Sequence, residues 1–421
     1  MRGKLVSSIW GLLLVVLFIP NVSYSMPNFA RKYDKNCGMC HTQVPKLNQT
    51  GYEFRLAGFR LPDEIGQKEP AFNMGDFFTA RLQYTYTYSD HKAPNKANDS
   101  SNSQLEFKEV TLYPLTGSWG ENFGSLVELS MFPDDVFEVE NAYVRAVSGD
   151  SKGWWQGKVG VMHPWEGWGA SDRPLGVSRP LIQKQKANPG SPFFLWNLDE
   201  MAIEGGHHSV STGTSIAVGV GNGIIWKEDG KGSAEPAQGG NLTKPNDPGK
   251  KDKSFQIAVN QIIGKESGVG LYYYRGTVPF PDPNVNAAPI TKDTFDRLAL
   301  YGNAFVVPKT LNLQAGYGRG KDSLGDSAVV GGANVDKSSG YFVEANYHVK
   351  ENYLAFGARY DTFDPSNKVN HNDQNMFAVF ANYTPVRHLQ LITELSHKKT
   401  ELTAGGENKD NQLQLLGIFI F

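Results

Sequence analysis

From Gly75 to the last residue the sequence keeps a period of two, and nothing else in it restricts the fold as strongly. Phe78, Ala80, Leu82, Tyr84, Tyr86 and Tyr88 alternate with Thr79, Arg81, Gln83, Thr85 and Thr87. Tyr341, Val343, Ala345, Tyr347 and Val349 alternate with Glu344, Asn346 and His348, and Leu354, Phe356, Ala358 and Tyr360 with Gly357, Arg359 and Asp361. Successive side chains of a strand point to opposite faces, so each run has one apolar and one polar face. A membrane barrel meets that pattern with lipid outside and a wet lumen. A soluble sandwich meets it with the apolar face inward.

The connections separate the two. Strand candidates begin near residues 75, 102, 122, 135, 153, 198, 211, 253, 268, 294, 309, 340, 352, 374, 388 and 411. Short connections at 117–122, 264–268, 308–309, 350–351 and 384–387 alternate with long polar ones at 89–101, 164–197, 227–252, 279–293, 320–339 and 399–410. Outer-membrane barrels pair short periplasmic turns with long outer loops and have an even strand count; a sandwich has no reason to sort its loops. Leu413, Leu415, Phe419 and Phe421 alternate along the last strand, similar to the assembly signal of bacterial outer-membrane proteins. The many Tyr, Phe and Trp residues suit interfacial girdles. The expectation is an all-β, antiparallel transmembrane barrel of about 16 strands over residues 73–421, in contact with outer-membrane lipid.

Ahead of this body lies Cys37-Gly38-Met39-Cys40-His41, which holds both cysteines of the chain. Cys-x-x-Cys-His is the attachment signature of a c-type haem. Its two sulfurs become thioethers, and the histidine is held where it can bind the iron from the proximal side. A thioredoxin-like motif needs a βαβ setting that is not visible. A zinc site needs about four ligands, and the next histidine, His91, is distant in a loop-like stretch. Residues 1–25 read as a secretory signal: Arg2 and Lys4, an apolar run from Ile9 to Ile19, then Ser23-Tyr24-Ser25 as a small-x-small cleavage site. Export agrees with the motif, because this haem is attached outside the cytoplasmic membrane. Losing Arg2 and Lys4 leaves 43 acidic residues against the remainder of 41 basic ones, a net charge of about −4, which is no footprint for nucleic acid.

Residues 26–72 form a haem-bearing segment, expected to act as a plug. It is too short to build an adequate core around a haem alone and must borrow walls from the barrel. Val44, Leu47, Gly51, Phe54 and Gly58 fall on one helical face. The two glycines either permit close approach to something flat, or Gly51 ends a short helix after Asn48-Gln49-Thr50. Arg55 and Arg60 are candidate propionate partners, or solvated surface charges. The distal iron position has two Met candidates, Met74 at the junction with the first strand and Met162 in the barrel; Met74 is the choice, because a segment that binds haem while unfolded benefits from a nearby ligand, and an open position filled by water or a lumen residue is the rival. Parity turns Met162, not His163, toward the lumen, near the outer rim. Asp172, Arg173 and Arg179, in the loop that follows, fold inward or are solvated. His207 and His208 point opposite ways and make a poor chelate. Glu128, Glu200, Glu204, Glu344 and Glu394 are lumen-facing by parity. They either bind divalent cations or line the lumen, balanced by Arg81 and Arg359. No nucleophile–base constellation and no phosphate-binding glycine loop is present.

A signal, one short Cys-x-x-Cys-His segment and then a barrel is an unusual order. It resembles the fused monohaem cytochrome–porin family of the bacterial outer membrane, whose best-known members are iron oxidases. Cys37, Cys40 and His41 carry the resemblance, with Asn28-Phe29-Ala30-Arg31 before them and Gly58-Phe59-Arg60-Leu61-Pro62 after. The barrel body carries no matching motif. The resemblance implies one haem c on a plug in or under the barrel and electron transfer from extracellular Fe(II) to a periplasmic cytochrome. Fe(II) oxidation is then the half-reaction, without group transfer. An outward conduit to an extracellular acceptor, and a diffusion porin with a haem-bearing plug, stay open beside it.

Overall fold

The computed structural model describes residues 27–68, 77–132, 137–163, 175–184, 200–222, 226–228, 234–236, 253–264, 266–280, 291–323, 335–386 and 388–421. Sixteen antiparallel strands close into one ring. They are β1 Thr79–Lys92, β2 Ser100–Tyr113 (resumed at Gly117–Trp119), β3 Phe123–Met131, β4 Phe137–Asp150, β5 Gly153–Met162, β6 Glu200–Ser209, β7 Thr214–Gly221 and β8 Ser254–Ile263. There follow β9 Ser267–Phe280, β10 Thr291–Val307, β11 Leu311–Asp322, β12 Asp336–Lys350, β13 Leu354–Asp364, β14 Gln374–Val386, β15 Leu389–Glu401 and β16 Glu407–Ile420. Each strand pairs with its neighbours in sequence, and β16 closes on β1 with Leu413 opposite Tyr88. All sixteen starts lie within four residues of those expected from the period-two runs. Two outer connections are shorter than the polar stretches implied. Pairing runs on to His91 opposite Ser100 and Glu401 opposite Glu407, leaving tight hairpins there. Polar strand ends beyond the lipid look like loop in sequence, because only the middle of each strand needs an apolar face.

The wall is inverted relative to a soluble protein. Ile203, Val218, Leu271, Leu300, Val343, Phe377 and Leu395 are exposed on the outside, while Gln83, Glu109, Glu128, Arg145, Lys158, Gln256 and Arg359 are buried inside. In water that arrangement would be ruinous at about 25 cal/mol per Å² of apolar surface; against hydrocarbon it is favourable. A closed ring also leaves no unpaired strand edge in lipid.

Two segments enter the bore. Residues 27–68 contain α1 Pro27–Tyr33, a hairpin of His41–Gln43 with Lys46–Leu47, and α2 Gln49–Leu56. They sit at the end of the barrel that carries the short turns, the periplasmic end in this class. Part of the β5–β6 connection, residues 175–184, folds inward as well. Its Val177 and Ser178 N–H groups donate to Glu394 Oε2 at 2.7 and 3.1 Å. Arg359 donates to Ser178 O at 2.9 Å and to its Oγ at 2.8 Å. Both wall groups are buried, Arg359 at 1% exposure and Glu394 at 0%.

Candidate functional site

The attachment turn is built by local capping. Asn36 Oδ1 accepts from Gly38 N at 3.0 Å and starts a 3₁₀ turn over Cys37–Met39, which ends with Cys40 N donating to Cys37 O at 3.1 Å. Asn48 then does two things. Its Oδ1 caps α2 by accepting from Gly51 N at 3.0 Å, and its Nδ2 donates to Gly38 O and Met39 O, each at 3.1 Å. Helix and turn are thereby tied together. Gly51 does not end a helix. It lies inside α2, where a Cβ would stand 2.2 Å from the Cys40 carbonyl oxygen. The closely approached surface is the turn's own backbone, which spacing alone does not reveal.

Cys37 is buried, Cys40 is half-buried, and no disulfide joins them. Burial pushes the Cys40 thiol up to about 11. Burial likewise lowers His41 to about 4, against the opposing pull of the Pro45 and Lys46 backbone. The ring is therefore neutral at physiological pH, the form that ligates metal. Its Nδ1 lies 3.1 Å from Pro45 O. With Nδ1–H donating to that carbonyl, Nε2 carries the lone pair, as in metal-bound histidines oriented by a backbone acceptor. Two unbridged thiols and an oriented neutral imidazole fit a c-type haem.

One arc of the wall holds the segment with polar bonds. Lys46 Nζ donates to Gln314 Oε1 and, at 2.8 Å, to Glu344 Oε1, while Glu344 Oε2 is 3.7 Å from Arg359. Burial lowers the Lys46 ammonium, and Glu344 opposes that. Asn352 Nδ2 donates to His41 O at 2.8 Å, and Gln390 Nε2 to Val44 O at 2.7 Å. Asn382 Nδ2 donates to Val44 O at 3.3 Å and to Leu175 O at 3.0 Å, joining plug, wall and inward loop.

The opposite arc adds the apolar contacts. Tyr52, Leu56 and Ala57 pack with Val147, Trp154 and Ile262. Phe54 and Phe59 pack with Tyr113, Leu126, Tyr143, Met162 and Ala202, and Phe29 of α1 stacks on Phe59 with centroids 5.7 Å apart. Gly58 and Gly124 touch backbone to backbone: a Cβ on Gly124 would lie 2.1 Å from Gly58 O.

The remaining candidates fall as follows. Arg60 is not a solvated surface charge. It is fully buried and donates to the carbonyls of Gly120 at 3.3 Å, Glu121 at 2.5 Å and Phe123. The Arg55 carbonyl accepts from Arg145. Met162 faces the lumen, as parity requires, but it belongs to the plug's aromatic seat rather than to a separate outer rim. Met74, Asp172 and Arg173 lie outside the described residues, and Arg179 is half-buried. His207 stacks on Trp155 outside at 4.7 Å, whereas His208 faces inward. There His208 Nδ1 lies 2.7 Å from Ser215 Oγ and Nε2 3.6 Å from Glu53 Oε1 of α2. Glu128, Glu200, Glu204, Glu344 and Glu394 are all buried in the lumen. Glu128 accepts from Tyr113 and Asn141, Glu200 from Ser254, and Glu204 pairs with Lys158 at 3.1 Å. Among the described residues no group of three or more His, Cys, Asp or Glu is gathered for a metal ion. Lys46, Asn352, Asn382 and His208–Glu53 gave no sequence signal as anchors, since their partners are hundreds of residues away or depend on α2 docking.

No protein-family model matches the sequence, and no curated protein matches it. Among solved structures, the outer membrane channel DcaP of Acinetobacter baumannii is similar, at 12% identity and a TM-score of 0.53 over 85% of this chain and 100% of that chain. A loop-L8 deletion mutant of OmpT, an outer membrane protein of Vibrio cholerae, is similar at 9% identity and a TM-score of 0.50, over 82% of this chain and 98% of that chain. At such identities the likeness is one of fold. The closed ring, the lipid-suited outer face and this likeness together make the chain a porin-like β-barrel of the bacterial outer membrane.

Proposed function

We propose that this porin-like barrel is an electron-transfer protein carrying one covalent haem c at its periplasmic end. The observation that supports this most is the attachment turn. Cys37 and Cys40 stand two residues apart on a capped 3₁₀ turn, and His41 directs Nδ1 to Pro45 O, leaving Nε2 for iron. Those three residues would hold the group, which supplies a one-electron iron couple when bound. The other residues position and shelter it. The Lys46–Glu344 pair and the Asn352–His41 bond fix the turn against the wall. The aromatic seat around Phe54 excludes water from the other side, and the barrel insulates the site from lipid. Extracellular Fe(II) is the proposed donor and a periplasmic cytochrome the proposed acceptor. An outward route to an extracellular acceptor uses the same parts.

A second reading is a diffusion porin with a plug, and the likeness to a protein described as an outer membrane channel favours it. The plug's many bonds to the wall favour a static stopper instead. Three measurements separate them. Peroxidase staining of the denatured chain reports covalent haem, and Cys37→Ser with Cys40→Ser should abolish it. Added Fe(II) should convert the oxidised spectrum to the reduced one. Liposome swelling reports solute passage. Swelling without staining would establish the diffusion reading and end the first.

A further inference from the structure

We propose that His348 of the barrel wall is the second axial ligand of the haem on Cys37 and Cys40, so that iron is clamped between plug and barrel. The inference rests on the haem reading above. His348 is 4% exposed on β12, and among the described residues neither of its ring nitrogens has a hydrogen-bond partner. Its ring neighbour is Phe305, at 5.6 Å, which offers no lone pair or proton. Leaving a buried polar group unpaired is costly, and buried imidazoles are ordinarily satisfied. Two unsatisfied nitrogens on one ring mark a place where a partner belongs.

The position of His348 says which partner. Residues Glu344, Asn346 and His348 share the lumen face of β12. Glu344 receives Lys46 of the plug hairpin at 2.8 Å. Asn352, just past the strand, donates to the His41 carbonyl at 2.8 Å, and its Nδ2 would lie 3.2 Å from a Cβ on Gly38 inside the attachment turn. Two bonds on either side of His348 therefore bring this stretch of wall to the hairpin that follows Cys40. The backbone N–H of His348 is already committed to Thr310 O at 2.7 Å, which fixes the strand there. An imidazole nitrogen is a good iron ligand, and His41 accounts for one axial side only. Of the described rivals, Met162 lies in the aromatic seat on the other arc, and His208, also across the bore, has Nδ1 on Ser215 Oγ and Nε2 3.6 Å from Glu53 Oε1.

The test uses the full chain purified in detergent, with heat-modifiable gel mobility as a check that each variant keeps a folded barrel. Wild type should stain for covalent haem, lack the far-red iron–sulfur band, and give the low-spin electron paramagnetic resonance spectrum of two imidazoles. His348→Ala should keep the stain, become high-spin, and return to low spin on adding imidazole. His348→Met should gain the far-red band, a change no packing role produces; it decides the matter if His348→Ala folds poorly. A far-red band in wild type, or stained variants that keep the wild-type spectrum, would overturn His348 as ligand and leave the haem reading standing. Absence of stain in wild type would overturn both.

Discussion

Against β2 to β8 the plug buries rings and aliphatic chains, with Arg60 and Arg145 adding bonds to backbone carbonyls; against β11 to β15 it is held chiefly by directional bonds from polar side chains. On the first arc Trp154 is completely buried beside Tyr52 and Leu56, and its Nε1 donates to Leu56 O at 3.2 Å. On the second, Lys46, Val44 and His41 are each tied to a wall side chain. Apolar burial is non-directional and scales with area, so the first arc supplies most of the docking free energy. Polar bonds contribute only about 0.5–1.5 kcal/mol net each but tolerate little displacement. The second arc therefore sets where the Cys-x-x-Cys-His turn stands.

The comparison breaks most visibly at Trp154. Trp154→Ala should cost about 3–5 kcal/mol of plug docking, read as faster proteolysis of residues 27–68 while the barrel keeps its heat-modifiable mobility. Unchanged proteolysis would mean that the apolar arc is not the main anchor. Lys46→Met comes next. It leaves Glu344 buried, but Arg359 at 3.7 Å still faces that carboxylate, so the loss should be about 1–3 kcal/mol, below the full cost of orphaning a buried charge. Adding Glu344→Gln should recover part of it, and a double-mutant cycle measures the coupling. Full additivity would show the pair to be energetically idle.

Asn382→Ala should cost about 1 kcal/mol. Because Asn382 joins Val44 O to Leu175 O, hydrogen exchange should rise at both the plug hairpin and residues 175–184. A rise at one alone would separate the plug from the inward loop. Asn352→Ala should be the mildest, about 0.5–1.5 kcal/mol. It should disturb the haem spectrum more than it disturbs plug docking. Equal effects on both would weaken the division of labour between the arcs.

Much of this was legible residue by residue. The strand starts, the lumen-facing carboxylates, the inward turn of Met162 and the opposed His207 and His208 all follow from the two-residue period. Arg60 was not legible: an arginine after a helix end looks like surface, and only the docked turn at 120–123 brings three carbonyls to its guanidinium. Gly51 was legible as a close approach but not as to what, because Asn48 must first cap α2 and fold the Cys40 carbonyl over it.

The sequence by itself determined the barrel and its strand count, because strand faces are set by bonds between near neighbours in the chain. Only the tertiary structure decided that residues 27–68 lie inside the ring at its short-turn end, that Lys46 meets Glu344, and that Asn352 meets the His41 carbonyl. Those pairs are separated by about 300 residues of chain. Local patterning and turns fix the register between neighbouring strands, but which residues meet across a bore also depends on ring closure and on how the plug docks.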